Sequence, residues 1–308
     1  MLWKPLLSAT IPIDPATGDF DWNCIPLPVY ASYKYDGYRA MVQDGILVSR
    51  NGLPVRNREL QARYGKPEYE GLDGELVDGP PNAPSAFNRT SRVVNNAAAS
   101  AVDTKMYVID WFLEEDITEL RHRIRGTEEY FEKPSKHLVV AKQKLCKTVA
   151  QVQDFERKAV AAGWEGVMLR RADQGPYPQK PGKQNRSTLR EFYLARLKRF
   201  EYDFAKIVRP HPLEHNLNEE RTAAGKRSSK KAGIAVDHAR VGSVTVLGTT
   251  GLAKGLEFNI TVPTNALRAK GAEWWGRQIG REIRYKYQVV GTKDKPRILT
   301  ATFEELGL

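Results

Sequence analysis

Lys34-Tyr35-Asp36-Gly37-Tyr38-Arg39 is the stretch on which the reading of this chain turns. It follows residues 27–33, an apolar and aromatic run that predicts a strand. A lysine acts as a nucleophile only as the free amine, which calls for desolvation and neighbouring positive charge. Asp36 lies two residues on, so in extended chain it points to the same side as Lys34. It could orient the amine or take its proton. Gly37 lets the backbone turn close to a ligand. By itself Lys-x-Asp-Gly fixes few positions, and a surface turn would read the same way.

Working outward, residues 45–49 predict another strand, ending at Arg50 beside Asn51-Gly52, a strong hairpin dipeptide. Asp73-Gly74-Glu75 falls in a predicted strand at 72–77 and sets two acids on one face. In the strand expected at 106–112, Asp110 follows Ile109, with Tyr107 and Trp111 on the same face as Ile109. Residues 149–162 repeat apolar side chains at helical spacing and stop at Gly163. Glu165 then stands at the mouth of an apolar strand, 166–170, and in 192–199 Arg196 and Lys198 share a face. Charges at strand ends are ordinary, and acidic pairs are commonly just solvated. The ordered set carries more weight than any member of it.

Composition changes at about 211–240, where a polar, basic, Gly-containing stretch holds few large apolar groups. Such a segment is expected to be a mobile insertion. Around it, strands at 203–208, 242–247, 256–262, 282–288 and 296–303, with a helix over 264–278, make a small five-strand unit whose count suits an OB-fold barrel.

The 308 residues allow one large domain and one small one. Forty-eight Lys and Arg against thirty-seven Asp and Glu leave a net charge of +11, which suits a polyanionic partner because phosphate contacts release counterions. By itself that balance is weak evidence. No apolar run has the length of a membrane helix and no signal peptide is visible, so a cytoplasmic protein with no membrane partner is expected. Cys24 and Cys146 stand far apart and read as reduced thiols. With histidines scattered at 122, 137, 211, 215 and 238, no zinc site is expected. None of the Gly-Lys pairs at 65–66, 182–183 and 225–226 precedes Ser or Thr, which argues against a P-loop.

Taken in order, these motifs resemble the series of the covalent nucleotidyltransferase superfamily, and within it the minimal ATP-dependent DNA ligases of viruses and bacteriophages. The resemblance begins at Lys4-Pro-Leu-Leu-Ser-Ala-Thr and includes Gly163-Trp-Glu-Gly-Val-Met-Leu-Arg-Arg. Arg186-Ser-Thr-Leu-Arg-Glu, Leu197-Lys-Arg-Phe, Tyr285-Lys-Tyr-Gln and Gly291-Thr-Lys-Asp-Lys-Pro-Arg297 continue it. Residues 80–150 match weakly.

The resemblance implies an α+β nucleotidyltransferase domain with antiparallel sheets over 1–200, then a small all-β OB-fold domain over 201–308 carrying a basic, latch-like insertion at 211–240. It implies ATP and Mg²⁺ as cofactors, Mn²⁺ being tolerated, and nicked duplex DNA as the partner of a monomer. Lys34 would carry AMP, assisted by Asp36. Glu75 and Glu165 would hold the ribose hydroxyls or the metal. Arg39 and Arg50 would contact the nucleotide and later the 5′-phosphate of the nick, Arg186 would touch phosphate, and Ile109 would line the adenine. Arg196 and Lys198 would neutralise the α-phosphate, and Arg297 would orient the pyrophosphate. Lys226, Arg227, Lys230 and Lys231 would grip DNA from the latch.

Two positions depart from the family pattern. Arg196-Leu-Lys198 stands where a Lys-x-Lys is usual, exchanging a compact charge for a planar fork. Ile109 replaces the usual aromatic wall for the base. The rival readings are an RNA ligase or capping guanylyltransferase, separable by exchanging nicked DNA for RNA ends, and a non-catalytic duplex-binding protein. An NAD-dependent ligase is disfavoured by the lack of its cysteine-rich module.

Overall fold

The computed structural model describes residues 4–112, 118–133, 135–178, 185–219, 227–228, 230–288 and 297–303. Contacts divide the chain after Lys198 into two compact units.

The first unit carries ten strands: β1 (Ala9–Thr10), β2 (Val29–Tyr33), β3 (Tyr38–Gln43), β4 (Ile46–Ser49), β5 (Leu72–Asp78), β6 (Thr104–Trp111), β7 (Leu138–Val140), β8 (Lys144–Cys146), β9 (Val167–Arg171) and β10 (Ala195–Leu197). Its helices are α1 (Arg58–Tyr64), α2 (Ala86–Val94), α3 (Leu120–Tyr130) and α4 (Val149–Ala161). The strands form two five-stranded sheets, ordered β1-β10-β9-β2-β8 and β4-β3-β5-β6-β7. Pairing is antiparallel except at β1–β10 and β6–β7. Chain leaving β2 of the first sheet therefore enters β3 of the second within a few residues. Lys34 to Gly37 are that crossover.

Each sheet has its own core. Val29, Ala31, Val167, Leu169 and Leu197 pack on Val152 and Ala159 of α4, all without exposed surface. Helix α4 starts where the Thr148 side chain accepts from the Gln151 amide. In the second sheet, Leu72, Leu76 and Met106 pack on Leu60 and Tyr64, one helical turn apart on α1. Burying each such leucine stabilises by about 1.5–3 kcal/mol. Asn57 pins the assembly: its Oδ1 accepts from the Leu60 amide, while Nδ2 donates to the carbonyls of Val93, Asn96 and Ala99.

Two local expectations change. The hairpin joining β3 to β4 turns at Asp44-Gly45, where φ is +52° and +67°, and not at Asn51-Gly52. The latter closes a smaller turn, with the Ser49 amide donating to the Leu53 carbonyl. Ile109 interrupts the alternation of β6: Asp73 pairs with Asp110 and Gly74 with Val108, leaving Ile109 as an extra residue. Tyr107 and Trp111 consequently part company. Tyr107 stacks on Tyr35, whereas Trp111 meets Tyr130 and Phe131 at the end of α3.

The second unit holds β11 (Glu201–Asn216), β12 (Ile234–Gly248), β13 (Glu257–Thr261), β14 (Glu282–Gln288) and β15 (Arg297–Thr302), ordered β13-β12-β11-β14-β15 and antiparallel throughout. Trp275, Ile283, Tyr285, Val244 and Val246 are buried at its centre. The helix expected over 264–278 is broken into α5 (Asn265–Arg268) and α6 (Gly271–Gly276), with Gly271, the first residue of α6, at φ +76°. The stretch 211–240 differs more. Residues 211–216 and 234–240 extend β11 and β12 as a paired ladder. Backbone pairing satisfies itself whatever the side chains, so low hydrophobicity does not forbid it. Polar side chains tie the ladder's end: Asn218 Nδ2 donates to Asn216 Oδ1 and to the carbonyls of Ser228 and Lys230.

Candidate active site

The crossover Lys34–Gly37 is held from both sides. The Lys34 amide donates to the Gly166 carbonyl at 2.9 Å, fastening it to the start of β9. On the other side Gly37 lies so close to β5 that a Cβ there would stand 2.2 Å from the Leu76 carbonyl oxygen. Gly166 is equally constrained, since its Cβ would meet the Leu197 carbonyl at 2.2 Å. Both glycines allow backbones to approach where any side chain would separate them.

This packing gathers the charges. Lys34 Nζ donates to Glu165 Oε2, and Lys198 Nζ donates to Glu165 Oε1 at 2.5 Å. Glu165 is buried, which favours its neutral form, but the two ammonium groups outweigh burial and hold its carboxyl at about 2. Glu75, on β5, behaves oppositely. It keeps some exposed surface, yet protein surrounds it closely enough that burial pushes its carboxyl up to about 7. Arg39 and Lys34 pull it down, whereas Glu165 and Asp36 push it further up. Glu75 thus senses every charge of the motif.

Arg39 lies opposite Glu75 in the β3–β5 ladder, and its side chain is clamped by Asp73. Nε donates to Oδ1 at 2.6 Å and Nη2 to Oδ2 at 2.8 Å, a bidentate pair with a fully buried carboxylate. Burial would favour neutral arginine, but Asp73 overrides it and keeps the guanidinium charged.

Arg196, on β10, is half-buried, and its buried Nε has no hydrogen-bond partner among the described residues. Burial and the charge of Arg186 both disfavour its charged form, with Glu165 opposing them. Arg186 itself is exposed and donates to the Ser8 carbonyl. Two ammonium groups therefore hold a single buried carboxylate, with Arg196 within electrostatic reach of it and of Arg186, an arrangement suited to an added anion such as phosphate.

Aromatic rings back this site. Tyr33 and Trp164 stack at 4.4 Å with planes 1° apart, and Tyr35 meets Trp164 edge-on and Tyr107 in a stack at 4.4 Å. Neither Tyr35 nor Trp164 stood out in the sequence as a structural support of the lysine.

Other expected residues lie elsewhere. Arg50 is exposed just past β4; burial pushes the Tyr38 hydroxyl up to about 12, and the charge of Arg50 opposes that only in part. Ile109 is half-buried, and its carbonyl accepts from Gln143 Nε2 at 2.9 Å. In the second unit Arg297 opens β15 opposite Gln288. Arg227 donates to the Asn218 carbonyl, and Lys230 and Lys231 are exposed. Lys226 and the side chain of Arg297 lie outside the described residues.

A buried triad escaped the sequence reading. Asp110 accepts from Arg123 Nε at 2.9 Å and from Arg170 Nη2 at 2.5 Å. It joins β6 to α3 and to β9, so it ties the second sheet to the first. Burial raises the Asp110 carboxyl, but Arg170 and Arg123 overcome this and lower it. The motif 163–171 contained Arg170 without any hint of its partner.

Comparison with known proteins agrees with this construction. A structure of Chlorella virus DNA ligase-adenylate aligns over 98% of this chain and 97% of its own, at 23% identity and a TM-score of 0.53. A Lig E DNA ligase aligns over 97% of this chain and 99% of its own, at 18% identity and a TM-score of 0.62. These likenesses show the DNA ligase fold, with few helices and antiparallel-rich sheets. A search of curated proteins finds no match. Among the described residues no helix is long and apolar enough to cross a membrane. The family model of the ATP dependent DNA ligase domain matches residues 23–189, more than half of the chain, and so the chain belongs to that family.

Proposed function

We propose that this chain seals nicks in duplex DNA, carrying AMP on Lys34 between ATP and the DNA 5′-phosphate. The observation that carries the reading is the Lys34–Glu165–Lys198 cluster at the junction of two sheets. Lys34 Nζ loses a proton and bonds to the α-phosphorus of ATP, and the bond from that phosphorus to pyrophosphate breaks. The AMP then passes to the 5′-phosphate oxygen of the nick. Finally the 3′-hydroxyl attacks that phosphate and AMP departs. Each transfer moves charge around one phosphorus, so positioning and cations do most of the work. Lys198 and Arg196 neutralise the α-phosphate, while Glu165 holds both lysines in register until phosphate replaces it. Arg39, fixed by Asp73, contacts the phosphates, with Arg50 and Arg186 as further contacts on DNA. Ile109 offers the adenine an apolar wall.

Glu75 and Glu165 fit Mg²⁺ in their chemistry. They are hard oxygen donors, and among the described residues no three acids, histidines or cysteines form a complete protein cage. That suits an ion held by one or two carboxylates and completed by substrate phosphate, and Mn²⁺ would be tolerated. When bound, the ion would offset negative charge on the polyphosphate.

The second unit is an OB-fold in this reading. Its strand order, the contact between edge strands β13 and β15, and the helices placed between β13 and β14 support it. The β11–β12 ladder, with Arg227, Lys230 and Lys231, acts as the latch on duplex DNA, gripping backbone with little sequence preference.

The test is incubation of the protein and of Lys34→Ala with a singly nicked duplex, ATP and Mg²⁺. Sealing by the first alone is expected. Adenylation of Lys34 without sealing would reassign the acceptor, and failure of both would refute the reading.

A further inference from the structure

Asp73, which clamps Arg39, has a second buried partner from a distant part of the chain. Tyr177 lies in the segment after β9, and its hydroxyl stands 2.7 Å from Asp73 Oδ2. The same hydroxyl oxygen stands 2.7 Å from the Leu6 amide nitrogen. An amide can only donate, so the Tyr177 oxygen accepts from Leu6 and its single proton is directed to Asp73. Burial, together with the Asp73 charge, raises the phenol well above its usual range, which keeps that proton in place. The ring is fixed as well, stacked on Phe112 with centroids 3.7 Å apart.

The result is a chain that converges on Asp73: the Leu6 amide donates to Tyr177, Tyr177 donates to Asp73 Oδ2, and Arg39 donates to both Asp73 oxygens from the other side. Oδ2 receives both Tyr177 and Arg39 Nη2, so the phenol sets the plane in which the carboxylate meets the guanidinium. Nη1 lies outside the Asp73 clamp, and its aim follows from that plane because guanidinium is rigid.

We propose that Tyr177 is a positioning residue for the reaction, aligning Arg39 through Asp73 and coupling the segment around Leu6 to the phosphate site. This rests on the reading of Arg39 as a phosphate contact given above. Removing the hydroxyl deletes the hydrogen bond to the charged Asp73 and the one accepted from the Leu6 amide, while leaving the ring to stack.

The test is a double-mutant cycle between Tyr177→Phe and Arg39→Ala. The readout is single-turnover sealing of a 5′-phosphorylated nick by the adenylated protein. Tyr177→Phe is expected to slow sealing by roughly tenfold in the wild type, the scale of one charge-assisted hydrogen bond. In the Arg39→Ala background it is expected to change the rate by less than about twofold, because nothing remains to align. Phe112→Leu disturbs the stack without touching the hydroxyl and should not couple to Arg39. Equal losses from Tyr177→Phe in both backgrounds, or no loss in either, would overturn the proposal while leaving the ligase reading intact. If Tyr177→Phe fails to fold, Asp73→Asn takes its place in the same cycle, with coupling again expected and additivity again overturning it. Wild-type protein that seals no nick would bring down both readings together.

Discussion

Lys198 Nζ stands 2.5 Å from Glu165 Oε1, on the carboxylate whose other oxygen accepts from Lys34. The residue that carries the nucleotide and the residue that would neutralise its phosphate are thus held by one acid. Removing Lys198 leaves Glu165 paired with Lys34, so no buried charge is stranded. Lys198→Ala should fold normally and yet adenylate Lys34 about a hundredfold to a thousandfold more slowly, the scale of losing one preorganised charge at a developing oxyanion. The check is the rate of AMP transfer from labelled ATP to the protein, beside a thermal melt. A melt lowered as strongly as the rate would mean that Lys198 is structural.

Glu75 makes a prediction in pH. Its folded carboxyl titrates at about 7 against an ordinary 4.5, raised first by burial. Between those values the folded state keeps a proton that the unfolded chain has released. Stability therefore falls as pH rises through that window and stays lower above it. Glu75→Gln removes the ionisation, so its urea midpoint relative to wild type should be higher at pH 8 than at pH 5. In the native protein the Mg²⁺ concentration for half-maximal adenylation should rise as pH is lowered from 8 to 6, because a protonated carboxyl is a poor ligand. Identical pH profiles for the two proteins would refute the assignment.

How far the sequence could be read depended on the range of each interaction. Residues 72–77 and 149–162 carried a local pattern, and β5 and α4 occupy nearly those bounds. β3 was not recognised because Ala40 to Gln43 are buried in succession, so no alternation marks them. Asp44-Gly45 and Asn51-Gly52 are both good turn dipeptides locally, and only the pairing of β3 with β4 chooses between them. The site shows the same limit. Motif spacing singled out Lys34, Glu165 and Lys198, which the fold brings into hydrogen-bonding distance. Tyr177 meets Asp73 across 104 residues, from a segment without periodicity, and nothing near it in sequence signals the contact.

The Asp110 triad should be a stability determinant. Asp110, Arg123 and Arg170 have at most 4% of their side-chain surface exposed, so solvent cannot take over for a lost partner. Asp110→Asn keeps the shape but leaves two buried guanidinium groups without their counter-charge. A loss of about 3–5 kcal/mol is expected, the usual cost of breaking a buried ion pair from one side. Urea denaturation measures it. A loss under about 1 kcal/mol, the range of surface pairs, would show that water reaches the triad.

Gly37 offers the sharpest local test, because one methyl group separates its two possible roles. If the glycine serves only to turn the chain, alanine should cost little, since its φ does not lie in the left-handed region. Yet the added Cβ would stand 2.2 Å from the Leu76 carbonyl oxygen, 2.8 Å from Val77 Cγ2 and 2.9 Å from Glu75 Cγ. The nearest of these atoms is backbone in the middle of β5 and cannot rotate away. Relief must come from moving the crossover off the strand, and that carries Lys34 away from Glu165 and Lys198. Gly37→Ala should therefore cost about 1–3 kcal/mol in stability, the range for overpacking. Its adenylation rate should fall at least about a hundredfold, as expected when a nucleophile is displaced by an ångström. A Gly37→Ala protein that melts and adenylates like wild type would show that the crossover is not packed against β5 as described.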